Sequence, residues 1–408
     1  MWVPRFSLAT FVAGAALAVS AHGQSVLRSG PGGGPLNIVT SDLAVLSAGD
    51  DRRDLPCEVE PLTPKLEYDL NFVAGYNAIV PLRELTGSGT ELRILFRIQE
   101  VDGRYEPVYF RKSFTVPPIE AEAEGSASLP GQYRLGPGRY RVDWLMRDRA
   151  ERVCARSWEV AAETPEGFEK LGASPLEGLI AEVDEETFYE EPPVRRAPGN
   201  LLRVKLLVNF SPEDLSDPSL RPYDIQSIVA MLRALSREPT LGEFDLVAYS
   251  MHEERVFYEE NRSPRISFAK LGEALDALEG GVVDIARLQD EQSGQRFVQS
   301  LFESHLAGPA DAANASDAPD VVIWLGPKVI LQRSPESSLL SSAQRLNVPV
   351  FYLIYNRNPR SYPWKGAVSA GLKGFGAEEF DITRPRDFGA ALQRILDRLS
   401  KLRTPADS

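Results

Sequence analysis

The chain has 408 residues, 58 of them acidic against 45 basic, and a formal charge of −13. Its Asp and Glu are spread along the chain, which excludes the basic footprint that nucleic-acid phosphates or an anionic membrane surface require. At roughly 100–200 residues per domain, the length implies two domains.

Residues 1–23 carry one cation, Arg5, then an apolar run from Phe6 to Val19, then small residues ending Ala21-His22-Gly23. That order is the signature of a secretory signal peptide cleaved after Gly23. A retained anchor is disfavoured, because the run is shorter than the roughly 20 apolar residues of a spanning helix. No Cys follows it to take a lipid, and no later segment is apolar for long enough to span a membrane. The protein is therefore expected to be secreted or periplasmic, with no transmembrane segment after cleavage.

Residues 24–35 are rich in Ser, Gly and Pro and read as a flexible lead. They are not a phosphate loop, since no helical pattern follows. From 36 to 160 the apolar residues alternate: Leu66, Tyr68, Leu70 and Phe72; Leu92, Ile94, Phe96 and Ile98; Tyr140, Val142, Trp144 and Met146. Period two in short runs broken by Gly, Pro and Asp predicts the half-buried strands of an all-β antiparallel sandwich. Within it, Leu135-Gly136-Pro137-Gly138-Arg139-Tyr140-Arg141-Val142 resembles a turn-and-strand signature of Ig-like domains in bacterial envelope proteins. The resemblance implies a fold and no ligand.

Cys57 and Cys154 are the only cysteines. In an oxidising compartment they are expected to form a disulfide tying the ends of the sandwich, the alternative being two buried free thiols. Neither has a His nearby, which argues against a thiol nucleophile or a zinc site.

Residues 161–200 turn rich in Glu and Pro and read as a linker with one short helix over 176–183. From 201 to 402 strand and helix periods alternate. Buried strands are predicted over 201–209, 321–325 and 348–355, a strand pair over 244–250 and 255–259, and helices over 223–237, 268–278, 293–305, 337–346 and 387–402. Residues 403–408 form a tail. This alternation predicts a doubly wound α/β domain.

The order of those elements, with the segment Val348-Pro349-Val350-Phe351-Tyr352-Leu353-Ile354-Tyr355, resembles the von Willebrand factor A fold in its divergent exported bacterial members, or a generic Rossmann-like domain. That family holds a cation at the C-terminal end of its sheet and lets a partner carboxylate complete the shell. Carried over residue by residue, little of this survives. Asn209 replaces the first Asp, Ser211 keeps the middle Ser, Glu213 replaces the last Ser, and Gly326 keeps only the glycine of an Asp-Gly pair. No metal and no cofactor is expected, although Glu213 or Asp214 could supply compensating carboxylates.

Enzymatic readings are thin. The exported chain would hold two histidines, His252 in a predicted turn and His305 at a helix end, where the dipole explains it. Ser211 follows a buried strand but lacks the glycines of a nucleophile elbow, and the glycines of 371–376 read as a helix cap. The expectation is a non-catalytic protein-interaction or adhesion-type module with an unknown protein partner in the cell envelope or outside the cell. The alternative is an envelope hydrolase or carbohydrate-active protein using carboxylates at the sheet edge. Arg357, Arg360, Tyr362 and Trp364, on the loop after the last predicted central strand, are the expected binding residues, because Arg, Tyr and Trp most often anchor interfaces.

Overall fold

The computed structural model describes residues 20–21, 24–27, 38–87, 89–168, 171, 178–183, 186–199, 201–213, 219–278, 292–307, 318–331, 347–357, 359 and 366–403. The predicted helix over 337–346 and most of the predicted signal peptide lie outside them. The short helix predicted over 176–183 is corrected: among its described residues Ile180–Ala181 pair as a strand with Arg134 and Leu135.

In the first half the strands are β1 (Ser20–Ala21), β2 (Ser25–Leu27), β3 (Arg52–Arg53), β4 (Glu58–Leu66), β5 (Phe72–Pro81), β6 (Thr90–Glu100), β7 (Val108–Val116), β8 (Ser126–Leu135), β9 (Gly138–Arg147), β10 (Val153–Ala162) and β11 (Ile180–Ala181). One antiparallel sheet runs β1-β7-β6-β9-β10-β3, with β2 also on β7; a second runs β11-β8-β5-β4. Leu92, Ile94, Phe96 and Ile98 of β6 and Tyr140, Val142, Trp144 and Met146 of β9 are all buried between the sheets, as their alternation predicts. The ring of Phe96 stacks on Phe110 at 4.8 Å, and Tyr76 meets Trp144 edge-on at 5.4 Å. Cys57 and Cys154 are joined in a disulfide that ties the start of β4 to β10 of the facing sheet. Ser25–Leu27, read as flexible lead, instead pairs with β7. An unanticipated helix, α1 (Thr40–Ala48), lays Leu46 on Leu95, Leu145 and Val153 on the outer face of the larger sheet. The outer strand β4 carries Pro61 and Pro64 and an irregular register, which blunts it as a template for pairing.

A third sheet runs β14 (Arg255–Ser263), β13 (Leu241–Ser250), β12 (Leu202–Asn209), β15 (Val321–Pro327), β16 (Val350–Tyr355), β17 (Glu378–Ile382). The helices are α2 (Pro222–Arg237), α3 (Phe268–Asp276), α4 (Ser293–His305), α5 (Ala367–Leu372) and α6 (Pro385–Arg403). One face of the sheet carries Leu206, Val208, Ile323 and Leu353 against α2, α3 and α6. The other carries Leu207, Trp324 and Tyr352 against α4 and α5.

The expected class, a doubly wound von Willebrand A or Rossmann-like α/β domain behind an Ig-like sandwich, is corrected. The protein is mostly β, with strand at 41% against helix at 25%. Among the described residues two of the three sheets are antiparallel, and the third is mixed, because β14 returns antiparallel along β13 while the remaining neighbours run parallel. Local periodicity identified strands and helices one at a time; it carried no information on how they pair.

The predicted strand over 66–72 is also corrected. The chain reverses there: the Asn71 carbonyl accepts from Glu67 N at 2.9 Å, Leu70 N donates to the Glu67 carbonyl at 2.9 Å, and Leu70 sits at φ 62°. Phe72 packs inside the sandwich, whereas Tyr68 and Leu70 at the tip are buried in the core of the mixed sheet. Tyr68 meets Tyr355 edge-on and its hydroxyl donates to the Thr383 carbonyl at 3.0 Å.

The described part of the Glu/Pro-rich segment is strapped down. Arg233 of α2 lies between the rings of Tyr189 (3.5 Å) and Phe268 (4.2 Å), and donates to the Thr187 and Tyr189 carbonyls and to Glu191. Arg237 adds two bonds to Glu191, and Arg196 caps the carbonyls of Ser236, Glu238 and Pro264.

Candidate functional site

The parallel strands β12, β15 and β16 end side by side, bringing Asn209, Gly326, Lys328 and Asn356 to one edge. Gly326 has φ 138°, and a Cβ there would fall 2.6 Å from the Asn209 carbonyl oxygen. Its glycine is therefore required by the close approach of two backbones. Asn209 is buried; its Nδ2 donates to the Pro327 carbonyl at 3.2 Å and its Oδ1 accepts from Ser211 N at 3.1 Å. Ser211, fully buried, accepts at Oγ from the amides of Met251 and His252. The two residues thus staple the end of β12 to β15 and to the β13–β14 turn.

Glu213 differs. Burial pushes its carboxyl up to about 7 against the opposing field of the buried Lys328 ammonium, and its Oε1 has no hydrogen-bond partner among the described residues. Asn356, also buried, donates its amide to the Ile382 carbonyl, while its side-chain Oδ1 is likewise unpartnered. By strand alternation Asn209 and Asn356 lie on the face that carries Leu207, Trp324 and Tyr352. Among the described residues no group of three or more His, Cys, Asp and Glu is placed to hold a metal ion.

Of the expected binding residues, Arg357 is exposed over the ring of Tyr223 at 4.5 Å and 3.5 Å from Asp224. Arg360, Tyr362 and Trp364 lie outside the described residues, as does Asp214. His252 contributes its amide to Ser211. His305 closes α4, and burial, followed by the Lys205 ammonium, holds its imidazole down at about 4. Neither histidine joins Glu213 in a catalytic set.

A second concavity was not anticipated. A cleft of about 440 Å³ opens where the β4–β5 tip, β8, the strapped segment and α2 meet. A chain of buried charges runs from its lining residues Asp69, Arg134 and Arg233 to Arg237 and Glu191 beside it. Asp69 pairs with Arg134 and lies 3.5 Å from Arg237, which bonds Glu191, which bonds Arg233. Burial pushes the Asp69 carboxyl up, but Arg134 and Arg237 outweigh it and hold it below the usual range. Glu67, on the same tip, is pushed up by burial and then by the Asp69 carboxylate. These residues come from positions 67 to 237 in four separate segments, so no local motif announced them.

No family model matches the chain, and no curated protein does. Among solved structures it is similar to a Bacteroides uniformis β-glucuronidase at 11% identity and TM-score 0.18, over 72% of this chain and 39% of that one. It is also similar to a calcium-binding mutant of Bacteroides uniformis β-glucuronidase 2 at 10% identity and TM-score 0.17, over 84% of this chain and 39% of that one. Likeness at that level bears on neither fold nor activity. Among the described residues no helix is long and apolar enough to cross a membrane.

Proposed function

We propose that this is an exported, non-catalytic binding protein that engages a protein partner in the envelope or outside the cell at the carboxyl edge of its mixed sheet. The observation that carries the reading is the division of labour at that edge. The side chains of Asn209 and Ser211 are committed to internal hydrogen bonds, while Glu213 Oε1 and Asn356 Oδ1 are acceptors with no donor among the described residues. Buried acceptors without donors are costly, and a partner bringing N–H or O–H groups satisfies them. Open acceptors without an activated nucleophile bind rather than react. Among the described residues no other carboxylate perturbs Glu213, which favours a binding role over the paired-carboxylate hydrolase. Export is supported by the order of residues 1–23 and by the disulfide, a bond that persists in oxidising compartments.

The test is site-specific photo-crosslinking in the native host, with the probe at Arg357 and, as a distal control, at Lys270 of α3. The reading expects a discrete adduct from position 357, absent from 270 and lost when Glu213→Leu and Asn356→Leu are combined. Equal adducts from both positions overturn it, as does an N-terminal sequence of the extracytoplasmic protein that begins at Met1.

A further inference from the structure

We propose that the cleft between the β4–β5 tip, β8, the strapped segment and α2 is a binding site for an organic cation, an alkylammonium or guanidinium group. This inference does not rest on the carboxyl edge, which involves other residues.

The charge inventory of the cleft sets the sign of the ligand. Its guanidinium groups are committed: Arg134 to Asp69, and Arg233 to Glu191 and two backbone carbonyls. Two of its carboxylates are not: Glu67 and Glu186 both line the cleft, and neither side chain has a hydrogen bond or ion pair among the described residues. Glu67 is half-buried; burial and then the Asp69 carboxylate raise its carboxyl, and the fields of Arg134 and Lys65 oppose them without outweighing them. An incoming anion would meet paired guanidiniums and two open carboxylates. An incoming cation would supply the missing partner.

The aromatic lining fits the same ligand. Tyr68, Tyr189 and Tyr223 all border the cleft, and two of them already hold a guanidinium on one face: Tyr189 under Arg233 at 3.5 Å and Tyr223 under Arg357 at 4.5 Å. Rings flanked by carboxylates recognise ammonium groups through the ring quadrupole joined to direct charge pairing. The volume of about 440 Å³ lies within the range of small-molecule sites and admits a lysine-sized chain. The net charge of −13 concentrates cations around the whole molecule.

The experiment is calorimetric titration of the full-length exported chain at low salt with two probes, 1,5-diaminopentane and a blocked tripeptide with a central lysine. Maltotriose serves as a neutral polar probe. One-to-one binding of either cation, weakened at least tenfold by Glu67→Gln and abolished by Gln226→Trp, which fills the cleft from the exposed face of α2, supports the proposal. Binding of the diamine assigns the site to free amines, and binding of the peptide alone assigns it to a side chain of a protein. Thermal melts of both variants establish that they fold, and Gln226→Trp tests the cleft without touching a charge. The proposal is overturned if neither cation binds at millimolar concentration, if Glu67→Gln leaves binding intact, or if maltotriose alone binds. Failure here with the crosslink at position 357 intact leaves the edge unaffected.

Discussion

Leu70 gives the sharpest test of how the sandwich and the mixed sheet are joined. Its side chain is fully buried in the core of the mixed sheet although its backbone belongs to a turn of the sandwich, and that backbone is left-handed at φ 62°. Leu70→Ala removes the buried methyl groups and leaves a cavity, a cost of about 2–5 kcal/mol. Both residues carry a Cβ, so the left-handed strain of roughly 1–2 kcal/mol is common to them. Leu70→Gly removes that strain. At an ordinary position Gly is worse than Ala by about 0.5–1 kcal/mol; here it should equal Ala or exceed it in stability. Urea denaturation followed by circular dichroism gives both differences directly. A cost below about 1 kcal/mol for Ala would mean that the tip is not held in the second core, and Gly falling more than about 1 kcal/mol below Ala would refute the left-handed turn.

Glu213 has a folded pKa above its unfolded value, so its contribution to stability is full below about 4.5 and is lost as pH rises through about 7. Glu213→Gln should therefore stabilise by about 1 kcal/mol at pH 8, after discounting for solvent screening, and by little at pH 4; equal effects at both pH values in denaturant titrations would exclude this. His305 is the opposite case, with a folded pKa of about 4 against an ordinary 6.5, so its contribution is present above 6.5 and drains away as pH falls toward 4. Replacement by Gln should flatten the stability profile by about 2 kcal/mol across that window, and an unchanged slope would show that the imidazole is solvated. Changing Cys57 and Cys154 together to Ser opens a loop of 97 residues and should cost about 2–5 kcal/mol, read as a lower urea midpoint with a slope equal to or steeper than that of the bridged protein.

What was legible in the sequence follows from how many cores an element serves. β6 and β9 face a single core, so Leu92–Ile98 and Tyr140–Met146 show clean alternation, and β12, β15 and β16 are buried on both faces and read as apolar runs. Leu66, Tyr68, Leu70 and Phe72 alternate as well, but the tip serves two cores, and a local period cannot separate a turn whose apolar residues divide between them from a strand. The disulfide was legible because only one pairing existed. The carboxyl edge was half legible: its positions were found, but the roles of Asn209, Ser211 and Gly326 as internal staples depend on Pro327, Ser250 and Met251, which only the fold brings near. The parallel or antiparallel sense of each pairing, which decides the fold class, leaves no mark on periodicity, and the cleft is a meeting of four segments.

The tip has a consequence for how the protein is made. Tyr68 finds its carbonyl partner on Thr383, 315 positions further along the chain. As the chain is made, the sandwich can complete its own sheets and its disulfide with Tyr68 and Leu70 still uncovered. Those two side chains then remain a sticky end until β16, β17 and α6 arrive to receive them, and truncated or stalled chains should be caught in that state. Exposed apolar surface of this kind is what chaperones bind and what drives partly made chains together, so the interval between residues 72 and 383 is when this protein most needs an escort.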